Sequence, residues 1–177
     1  MATPESHLPP ITPRGFGTTW QRVVTDPKGF FAEMPEAGGL GEPLVFLAIC
    51  AGLGALGNLV VGLNVGAAAM TVVSQVVGAL LVAALFVLIA QHLFDGRAGF
   101  EPTFRAVAYA AAPLVFAWIP RLGAVAVVYS WFLMVRGLER VQSFDATRAV
   151  MTVAIGIAVA AFAFVSIAGG FLLAGLR

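Results

Sequence analysis

Between Gly99 and Leu138 the chain reads GFEPTFRAVAYAAAPLVFAWIPRLGAVAVVYSWFLMVRGL. It is a polar turn, an apolar segment interrupted by Pro113 and Pro120, a corner at Arg121, and a second apolar segment closing on Arg136. Two apolar segments joined by so short a corner must fold back on one another as a hairpin. Both are too apolar to face water. The chain before and after reads as helices packed on that hairpin.

Composition says what surrounds them. Hydrophobic residues make up 60% of the chain, charged residues 11%, and the mean hydropathy is +0.95. A soluble domain carries about a quarter charged residues to keep its surface wet. The deficit lies wholly after residue 43, which predicts an all-α polytopic membrane bundle of five transmembrane helices. A net charge of +1 gives no basic face for nucleic acid, so the lipid bilayer is the expected partner. Cys50 is the only cysteine and lies in an apolar run, as a small apolar filler.

The chain divides into three parts: a proline-rich, polar tail over residues 1–18 that holds His7, an amphipathic segment and linker over 19–43, and the transmembrane domain over 44–177. Residues 1–17 carry no apolar core of a cleavable signal, so the first span is expected to act as an uncleaved anchor. In the second part, Trp20, Val23 and Val24 share one helical face and Phe30, Phe31 and Met34 the next. Asp26-Pro27 starts the second short helix as N-cap and first helical residue, and Pro35 ends it. Two readings fit: helices lying on the membrane surface with Trp20, Phe30 and Phe31 at the headgroups, or a cap packed on the protein itself.

The spans are expected at about Leu44–Leu63, Val72–Phe94, Thr103–Ile119, Leu122–Leu138 and Thr147–Leu173. The first contains a formal GxGxxG at Gly52–Gly57, but no strand precedes it and no acidic residue follows until Asp95. Gly54, Ala55 and Gly62 instead make a small-residue face for close helix packing, as do Gly156 and Ala160, then Gly170 and Ala174, in the fifth span. Asn58 and Asn64 mark the outer end of the first span. In the second, Gln75 needs a hydrogen-bond partner on a neighbouring helix, and the helix stops at Asp95-Gly96 with the glycine available for a left-handed conformation. His92 lacks companions at ligand spacing and reads as interfacial.

Pro113 is expected to kink the third span one turn beyond Tyr109. Ser130 sits at mid-depth of the fourth, and Ser143 or Asp145 caps the fifth. Spans three and four are short enough to leave a re-entrant hairpin open. Eight of the ten lysines and arginines (Arg14, Arg22, Lys28, Arg97, Arg105, Arg136, Arg140, Arg148) fall on the N-terminal side, with Arg121 and Arg177 opposite. The positive-inside rule then puts the N-terminus in the cytoplasm and the C-terminus outside, in the cytoplasmic membrane.

Three segments carry a family resemblance: TDPKGFFAEMPEAGGLGEPLVF before span one, GFEPTFRAVAYAAAPLVFAWIP into span three, and VVYSWFLMVRGLERVQSFDATRAV out of span four. In that order and spacing, over about residues 20–150, the chain resembles bacterial members of the Yip1 family of five-span membrane proteins. The resemblance implies a cytoplasmic N-terminal region, five helices and a non-enzymatic role. It offers no catalytic residues to map. Eukaryotic relatives act in vesicle trafficking, interact with small GTPases and carry a long cytoplasmic N-terminal domain that this chain does not match, so GTPase binding is not carried over.

The residues point the same way. Asp and Glu lie outside the spans, no nucleophile or metal cluster is visible, and no catalytic, cofactor or metal site is expected. A membrane-organising or scaffold protein fits the small-residue faces and the inner arginines, Arg136 and Arg140 among them, which suit anionic headgroups. The alternative is a small carrier or channel for a lipid or other apolar solute, with Gln75, Tyr109, Pro113 and Ser130 lining its path. The expectation that no ionisable residue sits inside a span, the arginines and His92 standing at the span ends, weighs against it. A homo-oligomer, or contact with other membrane proteins, is allowed but not demanded.

Overall fold

The computed structural model describes residues 13–62 and 65–175, with side chains at 15–62, 65–163 and 165–166. His7, Asn64, Arg177 and the side chains of Arg14 and the Gly170–Ala174 face lie outside what is described. Seven α-helices follow one another: α1 (Pro13–Thr25), α2 (Pro27–Glu33), α3 (Gly41–Val60), α4 (Val65–Leu93), α5 (Phe100–Ala110), α6 (Leu122–Val141) and α7 (Ala146–Gly175). A short 3-10 turn, Ala112–Phe116, continues α5.

Four of these, α3, α4, α6 and α7 as far as Ala163, are long and apolar enough to cross a membrane. Twenty residues at 1.5 Å each give α3 and α6 a length of ~30 Å, the thickness of the hydrocarbon core. Their outer surfaces are apolar: Leu56 is 59% exposed, Leu81 66% and Phe162 75%. Only lipid or another helix can cover such a surface.

The expected third span does not form as one helix. α5 has 11 residues, ~16 Å, and stops before Pro113 instead of kinking around it. Pro113 has no N–H to donate, and its ring disfavours the helical conformation at Ala112. Beyond it the bonds tighten to Leu114 N–H on Ala111 O at 2.9 Å and Ala117 N–H on Leu114 O at 3.0 Å. So among the described residues four helices, not five, meet the requirement for a span, and the remaining expected span is a short helix with a 3-10 turn.

That short helix is the centre of the molecule. Every residue from Thr103 to Ala110 is buried, against α3, α4 and α6. The run of alanines leaves no bulk to hold neighbours away, and α6 answers with Gly137, where an added Cβ would lie 2.7 Å from the Ala106 Cβ. The pairing is antiparallel, Thr103 beside Gln142 at 3.3 Å and Ala110 O beside Ser130 at 2.7 Å, and the hairpin turns at Arg121 with a φ of 67°.

α1 and α2 pack onto this core. Asp26 caps α2, its Oδ1 accepting from Gly29 N–H at 3.1 Å. Phe30 and Phe31 are each 1% exposed, and Val23 and Met34 are as deeply buried. A chain of rings joins the elements: Phe16 to Phe46 at 5.2 Å, Phe46 to Tyr109 at 5.1 Å, and Tyr109 to Phe30 at 5.0 Å. Phe30 and Phe31 therefore sit in the protein core and not at the headgroups, because Tyr109 and α6 offer them a closer apolar surface than lipid does. α1 itself begins at Pro13, ahead of Thr19, where the amphipathic segment was expected to start.

Helix ends show a second difference. The left-handed residue after α4 is Asp95, with a φ of 56°, and Gly96 is needed for room: a Cβ there would lie 2.6 Å from Gln142 Oε1. Asp145 precedes α7, its carbonyl accepting from Ala149 N–H at 3.1 Å, while Ser143 takes a left-handed turn with a φ of 53°.

Candidate functional site

The break at Pro113 frees backbone carbonyls inside the bundle, where water cannot reach them. Two side chains from other elements take their place. Ser130 Oγ on α6 donates to Ala110 O at 2.7 Å, and Trp20 Nε1 on α1 donates to Ala112 O at 2.8 Å. Tyr129 fixes α1 from the other side, its hydroxyl donating to Val24 O at 2.7 Å. The N-terminal helix is thus hydrogen-bonded to the centre of the hairpin. Trp20→Phe and Ser130→Ala should each cost about 1 kcal/mol, the net worth of one such bond within a membrane bundle. Chemical unfolding in bicelles measures it; no loss from Trp20→Phe would mean that α1 does not hold the break.

A second polar centre lies at the start of α5. Arg105 is the largest fully buried side chain, 1% exposed. Its Nη2 donates to Gly39 O at 2.7 Å, and its Nε lies 3.6 Å from Glu101 Oε1. Glu101 in turn accepts from Gly39 N–H at 2.6 Å. The linker closes over the guanidinium because Gly38 and Gly39 have φ of 132° and 83°, and a Cβ at Gly38 would sit 2.9 Å from Nη2. Arg105 Nε and Nη1 are buried without an acceptor. This arginine, expected among the charges at the N-terminal-side ends of the spans, is buried inside the packed helices.

The third centre is a cavity of about 270 Å³ between α2 and α6, lined by Lys28, Phe31, Ala32, Arg136, Glu139 and Arg140. Arg136 Nη1 meets Glu139 Oε2 at 2.6 Å, and Arg140 Nη1 meets Glu36 Oε1 at 2.8 Å. The Arg136 guanidinium also lies over the Phe132 ring, 5.7 Å from its centroid. Arg136 Nε is buried without an acceptor. Nearby, Gln142 ties the loop before α5 to the end of α6, accepting from Ala98 N–H at 3.0 Å and donating to Thr103 Oγ1 at 3.3 Å.

The residues anticipated as a path do not line one together. Tyr109, Pro113 and Ser130 meet at the break, but there they pack and hydrogen-bond. Gln75 lies on α4 apart from them, and its Nε2 is buried without the partner on a neighbouring helix that it was expected to find. Of the small residues, Gly54 and Ala55 are buried, Gly54 facing the Leu114 carbonyl, and Gly156 receives the ring of Phe86. Ala160 lines an outward groove with Phe86, Trp131 and Gly156. Gly62 is exposed, with a φ of 88° and open space beside it among the described residues, because α3 ends before it.

Sequence reasoning missed Gly57, which receives the Trp118 indole, and Gly137 against Ala106. Neither carries a repeat that would single it out. It also missed Arg105, although Gly38-Gly39 beside Glu36 and Glu42 was a signal that the linker must bend around something.

No curated protein and no solved structure matches the chain. The model of the Yip1 domain matches residues 22–168, from within α1 to within α7, and takes in the capped break, the Arg105 clasp and the α2–α6 cavity alike. A multi-pass membrane protein matched over so much of its length belongs to the Yip1 domain family.

Proposed function

We propose that this protein is a non-enzymatic membrane-organising scaffold of the cytoplasmic membrane, working through helix–helix and lipid contacts. One observation carries the reading. The polar groups that a transport path would need are turned on each other: Ser130 on Ala110, Trp20 on Ala112, Tyr129 on Val24. A bundle that closes its own break in this way holds a shape and offers its chemistry outward. Its remaining grooves open to the surroundings, between α4, α6 and α7 and along α6.

In this reading the chain crosses five times, with the broken α5 segment as the third crossing. Antiparallel pairing with α6 from Thr103 to Ala110 supports that path. Arg97, Arg136, Arg140 and Arg148 gather where α4 and α6 end and α7 begins, and Arg121 lies at the opposite turn, which supports a cytoplasmic N-terminus.

The test is transbilayer movement of a fluorescent phospholipid in vesicles containing the purified protein. A scaffold leaves the rate at that of empty vesicles. A rate that rises in proportion to the protein, and falls when Pro113→Ala restores a continuous helix, would replace the scaffold with a carrier.

A further inference from the structure

The α2–α6 cavity does not end at its arginines. On the same face of α6, at helical spacing, Val125, Val128, Tyr129 and Phe132 line an apolar groove of about 430 Å³. Val125 is 62% exposed, Val128 60% and Phe132 45%, so nothing among the described residues covers the groove. Arg136 joins the two halves, its guanidinium 5.7 Å from the centroid of Phe132 and its neighbour Arg140 one turn further on. We infer that this continuous face seats a single anionic phospholipid, its phosphate held by Lys28, Arg136 and Arg140 and an acyl chain laid along Phe132, Val128 and Val125.

Length and charge both fit. From Arg136 to Val125 the helix rises ~16 Å, close to half of the ~30 Å hydrocarbon core, so one leaflet's acyl chain matches the groove. Arg136 is paired with Glu139 and Arg140 with Glu36, whereas Lys28 has no ion pair among the described residues. The cavity is left with one unmatched positive charge, the complement of a phosphodiester carrying one negative charge and no compensating ammonium. A soluble anion would meet the cations but leave the apolar groove uncovered, and a neutral apolar chain would do the reverse.

The inference rests on the lipid-contact part of the proposed function. It is tested by reconstituting the full chain into vesicles of equal phosphatidylglycerol and phosphatidylcholine, re-extracting it, and quantifying the lipid retained per chain. One phosphatidylglycerol per chain is expected, in clear preference to phosphatidylcholine. Each cation lost near an anionic headgroup weakens retention about five-fold, so Lys28→Gln with Arg140→Gln should lower it roughly 25-fold. Glu139→Gln acts in the opposite direction: it frees Arg136 from its carboxylate and should raise retention about five-fold. That gain cannot arise from misfolding.

Equal retention of the two lipids overturns the proposal, as does retention indifferent to all three substitutions. Displacement of the phosphatidylglycerol by millimolar inorganic phosphate would show an anion site without a lipid and also overturns it. These outcomes leave the transbilayer rate untouched, so the failure of this seat is distinguishable from the failure of the scaffold reading.

Discussion

Phe30→Ala and Phe31→Ala should each destabilise the whole bundle by about 3 kcal/mol, although both residues belong to a helix of only seven residues. Each ring is 1% exposed. Phe30 packs edge-on against Tyr109 at 5.0 Å, and Phe31 reaches the close contact between Gly137 and Ala106. Truncating a buried phenylalanine usually costs about 3–5 kcal/mol, the sum of a transfer term and a cavity term. In a membrane the transfer term shrinks because unfolded spans remain in lipid, and what persists is the lost packing. The lower end of the range is therefore expected. Unfolding in bicelles, followed by the fluorescence of Trp118 and Trp131, which lie outside α2, measures it. Helices that merely float on the headgroups would change their own membrane affinity and leave that transition where it was.

The second large effect separates a charge from its partner. Glu101→Ala removes the carboxylate that lies 3.6 Å from Arg105 and accepts the Gly39 N–H, leaving the guanidinium buried with one acceptor. Removing one partner of a buried pair costs about 3–5 kcal/mol. Glu101 is 36% exposed, so water replaces part of what it gave, and about 2 kcal/mol is expected. Arg105→Met takes away the charge itself. It leaves an exposed Glu101 that water can solvate and fills the space with an apolar chain, so its effect should stay within about 1 kcal/mol of zero. The double substitution should recover most of the loss from Glu101→Ala. If Arg105→Met proved the more damaging of the two single changes, the clasped guanidinium would itself be a net source of stability, and not a buried charge that Glu101 makes tolerable.

How much of this the sequence showed depended on whether the determinant was local. Asp26-Pro27 starts a helix because its capping oxygen and fixed φ act within one turn, and the structure has that cap. The hairpin at Arg121 follows from two apolar runs and a short corner. Pro113 was legible as a disturbance, but whether a proline kinks a helix or ends it depends on what receives the freed carbonyls. Here Ser130 and Trp20 receive them, 20 and 92 residues away. The docking of α1 and α2 was hidden for the same reason. An apolar stripe of Trp20, Val23, Phe30 and Phe31 says that something apolar covers it, and lipid and a protein core answer equally well. Arg105 was read as a flanking charge because its partner, Gly39, is 66 residues distant. The left-handed turn at Gly62 was not legible, because a small residue near a helix end serves a turn as readily as a contact.

The scaffold reading meets its most direct test in native mass spectrometry of the protein extracted together with its surrounding lipid. A scaffold built on helix contacts should appear as a defined homo-oligomer or with a reproducible membrane-protein partner, and the assembly should persist when bound lipid is stripped away. A chain that emerges only as a monomer, without a protein partner and whatever lipid it carries, would contradict the account.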